Sequence, residues 1–146
     1  MDWQKRLAIS NHDRSAAVPH SGGTVKDFRQ LTVWQKAHAV TLNVYQDTGS
    51  FPKAELYGLV SQMRRCSVSI GANIAEGCGR SNNGDFQRFL QTAMGSASEL
   101  EYHLLLSFDL SYLPRERYVQ LNTQLAEVKR MLVGLSRKVA IDRVTV

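Results

Sequence analysis

The stretch SVSIGANIAEGCGRSNNGDF, residues 67–86, packs four glycines and three asparagines between two long segments of periodic apolar residues. Glycine-rich segments can cradle phosphates or carry nucleophiles, and each chemistry needs particular residue types. A phosphate loop requires GxxxxGK[ST], in which the lysine neutralises phosphate charge and the hydroxyl binds magnesium. Gly79 and Gly84 stand at that separation, but Asp85 occupies the lysine position and Phe86 the hydroxyl position. A carboxylate there repels phosphate. A dinucleotide fingerprint needs GxGxxG after a strand, and Gly77 and Gly79 have no glycine after them until Gly84. Cys78 lies near Arg80, which would favour a thiolate, but no histidine is placed locally as its base. Glu99 and Glu101 lie near His103 without the Glu-x-x-His spacing of a di-iron bundle. His12, His20, His38 and His103 form no HxxxH or HExxH pattern. The residues predict no catalytic site, no metal and no cofactor.

The same stretch reads well as a corner between helices. Gly77 and Gly79 are expected to end one helix with left-handed backbone. Ser81 or Asn82 caps the next helix, with Asp85 in its first turn. Glu76 and Arg80, four residues apart, can pair across the corner.

The elements on either side follow from periodicity. Residues 32–48 form a helix in which Leu31, Trp34, Ala37, Thr41, Val44 and Thr48 share a face, closed by Gly49 as a C′ glycine. Ser50 and Pro52 open a second helix over 52–76, with Glu55 in its first turn and a seam of Leu56, Leu59, Met63, Cys66, Ile70 and Asn73. A third helix over 83–110 carries Phe86, Leu90, Ala93, Ala97, Leu100 and Leu104. A fourth begins near Pro114, with Tyr118, Leu121, Leu125, Val128, Leu132, Leu135 and Val139 on one face. Four amphipathic helices with short connections and no strand pattern predict an all-α, antiparallel up-down-up-down four-helix bundle. A pair of helical hairpins completed by another subunit is the alternative. The bundle is expected over residues 28–140, after a flexible leader, 1–27, that contains Pro19 and the Gly22-Gly23 linker signal, and before a C-terminal tail, 141–146.

No apolar run approaches the roughly 18 residues of a membrane span. Cys66 and Cys78 fall outside any paired metal spacing and read as reduced thiols of a cytoplasmic protein, Cys66 in the core and Cys78 at an exposed corner. The net charge of +5 is uneven: residues 1–30 carry +2, residues 31–114 carry −1 and residues 115–146 carry +4. Basic ends suit phosphate or an acidic partner, and equally a solvated helix face.

A polar stripe runs beside the apolar seam of the second helix: Gln62, Arg65, Ser69, Asn73, Glu76 and Arg80. Ser96 and Glu99 lie on a matching row of the third helix, whose AMGSAS segment is small for a helix interior. Gly95 in that segment costs about 1 kcal/mol relative to alanine, so a close backbone or a long arginine is expected beside it. The expectation is a half-buried hydrogen-bond network of Arg65, Ser69, Asn73, Glu76, Arg80, Ser96 and Glu99, because buried polar groups must be paired.

The segments LTVWQKAHAVTLNVY, FPKAELYGLVSQMRRCSVSIGANIAEGCGRSNNGDFQRFL and AMGSASELEYHLLLSFDLSYL, together with the motif SxxxNIAEGxGR at 69–80, resemble the four-helix-bundle family of 23S rRNA intervening-sequence proteins. The resemblance covers about 28–138. Relatives of that family include the accessory variability determinants of diversity-generating retroelements. The resemblance implies a small cytosolic bacterial protein assembled as a ring-like homopentamer. It also implies an association with RNA or DNA and with a protein partner such as a reverse transcriptase. The motif positions carried over are Trp34, Pro52, Glu55, Leu59, Gln62, Arg65, Ser69, Asn73, Ile74, Glu76, Gly77, Arg80, Ser96 and Glu99. No catalytic residue comes with them. The chain departs from the pattern in its long leader and in a nearly neutral central bundle.

Two functions follow as expectations. The first is a non-catalytic nucleic-acid-binding accessory protein, associated with structured RNA, whose phosphate contacts are Arg64, Arg88, Lys129, Arg130, Arg137 and Lys138. The second is an oligomeric protein-interaction scaffold that works without nucleic acid.

Overall fold

The computed structural model describes residues 27–144, with the side chains of residues 143 and 144 outside that description. The leader expected over 1–27 therefore lies outside the described residues except for Asp27, as do residues 145 and 146. Four α-helices account for most of the rest: α1 (Thr32–Thr48), α2 (Leu59–Cys78), α3 (Asn83–Asp109) and α4 (Arg115–Val144). No strand occurs among the described residues. No helix among them is long and apolar enough to cross a membrane.

Side-chain contacts between neighbouring helices fix the topology. On α2 and α3, Ser69 meets Ser96 and Met63 meets Ser107, so the two run antiparallel. Lys129 reaches Glu101 and Gln87 reaches Ser136, which sets α4 antiparallel to α3. On α1 and α4, Asp47 meets Arg117 and Asn43 meets Gln124. On α1 and α2, Thr41 meets Ser67 and Thr48 meets Arg64. Each helix thus packs on two others, and the up-down-up-down four-helix bundle is closed. Its centre holds Val40, Met63, Ile70, Ile74, Leu90, Leu100, Leu104, Leu121, Leu125, Val128 and Leu132. Together with Cys66, Ala93 and Ala97, also buried, those positions recur every three or four residues along α2, α3 and α4, as a buried helical face requires.

The second helix starts later than its sequence suggests. Pro52 has an extended ψ of 141°, and Lys53–Glu55 forms only a 3-10 turn. Gly58 then departs from helical geometry at φ −106°, ψ −111°. Glu55 serves instead as a cap from outside: its Oε2 accepts from the Leu59 amide at 3.1 Å. A side chain at position 58 would place its Cβ 2.9 Å from that oxygen. Leu56 is therefore not a seam residue but is 48% exposed, and Tyr57 is 93% exposed.

The helix ends also differ from expectation. Gly49 and Gly79 are both right-handed, at φ −61° and −81°. Gly77 lies inside the last turn of α2, where its lack of a side chain admits Phe86 of α3. The corner closes when Asn82 caps α3, its Oδ1 accepting from the Asp85 amide at 2.8 Å. Among the described non-glycine residues, the left-handed one is Ser111, at φ 61°, after α3. There the amides of Tyr112 and Leu113 turn back to the Ser107 carbonyl. The last helix runs on to Val144, so residues 141–144, expected as a tail, continue it.

Gly95 and Gly134 sit in exposed helix interiors, and a Cβ added at either would meet nothing within 4 Å. Among the described residues, neither a backbone nor an arginine from another element approaches Gly95. Gly134→Ala should raise stability by about 0.5–1 kcal/mol, because alanine gives up less backbone freedom in a helix. Urea denaturation reads this as a higher midpoint with an unchanged slope.

Candidate nucleic-acid interface

The six candidate phosphate contacts divide into two groups. Arg64 is committed to the fold. Its Nη2 donates to the Tyr45 carbonyl at 3.3 Å, its Nε donates to Thr48 Oγ1 at 3.1 Å, and its guanidinium lies 4.7 Å from the centre of the Tyr45 ring. A cation there satisfies the free carbonyls at the C-terminus of α1. Arg88 pairs with Asp85 at 2.7 Å, and Lys129 pairs with Glu101 at 3.0 Å. In contrast, Arg130, Arg137 and Lys138 are exposed on α4, and none of them forms an ion pair with another described residue. Seven residues of helix separate Arg130 from Arg137, a spacing of about 10.5 Å along one face, with Lys138 beside it.

Arg137 also stands at the rim of a groove of about 310 Å³ between α3 and α4. Leu90, Met94, Leu132, Val133 and Ala140 make its apolar walls, and Gln87, Gln91 and Ser136 supply its neutral polar groups. Arg137 is the one ionisable side chain in that lining.

The polar stripe resolves into separate pieces. Ser69 and Ser96 share a hydrogen bond of 2.8 Å across the α2–α3 contact. Asn73 Nδ2 donates to the Ser69 carbonyl at 2.7 Å and to Ser69 Oγ at 3.0 Å. These three are half-buried and held together. The charged members are not drawn in. Arg65 is exposed and donates to Gln62 at 2.8 Å, Glu76 pairs with Arg80 at 2.8 Å, and Glu99 meets His103 at 3.2 Å. The division follows from cost: serine and asparagine can satisfy themselves on nearby backbone, whereas a buried charge loses several kcal/mol of hydration.

Neither cysteine forms a disulfide. Cys78, expected at an exposed corner, is buried, because α2 runs past Glu76 and keeps it on the side of Ile70 and Ile74. Cys66 is buried as expected. Its burial, and then the nearby charge of Glu99, push its thiol up to about 12. It stays protonated at neutral pH and is a poor nucleophile.

Residues 29–134 match the family model described as 23S rRNA-intervening sequence protein. The chain belongs to this family. The intervening-sequence match takes in α1, α2, α3 and the first two-thirds of α4 with Arg130, and it stops short of Arg137 and Lys138. A crystal structure of a protein with unknown function from the S23 ribosomal protein family of Bacteroides thetaiotaomicron is similar at TM-score 0.65 and 27% identity. That likeness covers 71% of this chain and 97% of the other. No curated protein matches the chain. Sequence reasoning could not sort the six bases of this intervening-sequence protein into committed and available ones. Only the Arg88–Asp85 spacing signalled a pair within one helix. The partners of Arg64 and Lys129 lie on other helices.

Proposed function

We propose that this chain is a non-catalytic cytoplasmic accessory protein for structured RNA, with the exposed face of α4 at Arg130, Arg137 and Lys138 as its phosphate-contacting surface. The observation that carries this reading is the segregation of charge. Of the six candidate bases, Arg64, Arg88 and Lys129 are answered by a helix end or by acids, while Arg130, Arg137 and Lys138, in the second half of α4, are exposed and form no ion pair with a described residue. Counterion release on phosphate contact rewards such unanswered cations. The test is fluorescence anisotropy of a labelled RNA hairpin, a DNA hairpin of the same sequence and a single strand at low salt. Saturable binding that favours the RNA hairpin supports the reading, and no binding at micromolar protein refutes it.

A second reading, self-association as a scaffold, rests on the outer face of α3. Gly95, Ser98, Tyr102 and Leu105 repeat there at helical spacing, with Tyr102 59% and Leu105 43% exposed. Among the described residues nothing occupies the space left by the missing side chain at Gly95, and a neighbouring backbone is the reason we assign to it. Light scattering should find an oligomer for the native chain and a smaller species for the Tyr102→Glu, Leu105→Glu double variant. A native chain that is monomeric at tens of micromolar sinks this reading.

A further inference from the structure

Among the described residues, one buried side-chain nitrogen or oxygen has no hydrogen-bond partner, Nδ1 of His103. The His103 side chain is 13% exposed, and its Nε2 lies 3.2 Å from Glu99 Oε1 one turn earlier on α3. Leaving a buried polar atom unsatisfied costs on the order of 1–3 kcal/mol, so the orphaned nitrogen calls for a partner. In the neutral ring one of the two nitrogens carries a lone pair that a cation can take, and the tautomer follows the partner each nitrogen meets. Across the helix contact, on α2, Cys66 is 3% exposed. Its Sγ, a carboxylate oxygen of Glu99 and a ring nitrogen of His103 all lie within 4.8 Å of one another.

We propose that Cys66, Glu99 and His103 bind a divalent cation of the zinc type, which ties α2 to α3. The donor set decides the kind of ion. One sulfur, one imidazole nitrogen and one carboxylate oxygen suit borderline-soft Zn²⁺ far better than Mg²⁺ or Ca²⁺, which take oxygen ligands. Bonds of about 2.0–2.3 Å around a tetrahedral ion place donors roughly 3.3–3.7 Å apart. The trio needs to contract by roughly 1 Å to meet that geometry. Glu99, an exposed side chain at the rim, has the freedom to move.

The sulfur is the costly ligand. Burial and the Glu99 charge keep the thiol protonated in the empty site, and Arg65 nearby offsets them only in part. Binding therefore proceeds by exchange: Zn²⁺ takes the sulfur lone pair, the S–H bond breaks, and the proton leaves to solvent. The cation then neutralises the carboxylate that had opposed ionisation. Nothing in the spacing of α3 alone revealed this trio, because its third member stands on another helix.

The test uses the full-length, tag-free chain and Co²⁺ as the probe, since Co²⁺ bound to a thiolate gives an intense near-ultraviolet charge-transfer band. The native chain should develop that band together with the visible bands of a tetrahedral ion, and Zn²⁺ should displace both. Cys66→Ala should lose the charge-transfer band, and Cys78→Ala should keep it. Glu99→Gln, at an exposed position that leaves the fold intact, should weaken Co²⁺ binding by roughly tenfold or more. No band with the native chain at millimolar Co²⁺, a band that survives Cys66→Ala, or an unchanged affinity in Glu99→Gln would each overturn the proposal.

Discussion

Gly77→Ala should destabilise the protein by about 1–3 kcal/mol, although alanine is the better helix former by about 1 kcal/mol. The reversal of sign comes from one contact. A Cβ on residue 77 would sit 2.6 Å from Cδ2 of Phe86 and 3.1 Å from its Cε2, with Cβ of Phe89 also at 3.1 Å. Phe86 is 5% exposed and belongs to the core. It cannot swing into solvent without opening a cavity, so the strain must be taken up by separating α2 from α3 where they meet. The Asn82 cap and the Glu76–Arg80 pair lie in that same corner and would be disturbed with it. Urea denaturation of Gly77→Ala and Gly134→Ala side by side makes the comparison internal. The same chemical change should lower the midpoint at one site and raise it at the other. A stabilised Gly77→Ala protein would mean that the corner has room for a methyl group.

The largest expected effect on binding is that of the triple variant Arg130→Ala, Arg137→Ala, Lys138→Ala. Removing three charge-assisted phosphate contacts should weaken RNA binding roughly 30- to 100-fold at low salt. Stability should change little, because these side chains are exposed and take part in no ion pair among the described residues. The opposing control is the trio the structure commits elsewhere. Arg88→Ala and Lys129→Ala should leave RNA affinity almost unchanged, since each base already faces an acid at 2.7 and 3.0 Å. Arg64→Ala should act on stability instead, by about 1 kcal/mol, through the lost cap of α1. If all six single substitutions weakened binding equally, the division between committed and available bases would be wrong.

Much of the bundle can be read from residue spacing alone. Phe86, Leu90, Ala93, Ala97, Leu100 and Leu104 are all buried, as are Leu121, Leu125, Val128, Leu132 and Val139. Tyr118 and Leu135, at the edges of the same face, are half-buried against them. Spacing succeeds there because the period of a long helix averages over its neighbours. It fails where a single tertiary contact decides. Leu56 continues the seam in sequence, yet Glu55 turns back to cap Leu59 and the helix has not begun. Ser111 adopts the left-handed turn that a glycine would mark, and nothing in its type announces it. In the glycine-rich corner, Gly77 serves a close approach of Phe86 on the next helix rather than any phosphate. The polar stripe is visible as a row, but its division is not. Which members are buried depends on how α2 is rotated against α3, and charged Arg65 and Glu99 keep their contact with water.

The central claim, that unanswered bases on α4 meet phosphate, is tested most directly by the salt dependence of binding to one RNA hairpin. For about three phosphate contacts per chain, log K should fall with log salt at a slope of roughly −2 to −3 per protomer, and the triple variant should flatten it toward zero. Binding whose strength does not depend on salt, or a slope that the triple variant leaves unchanged, would contradict the account.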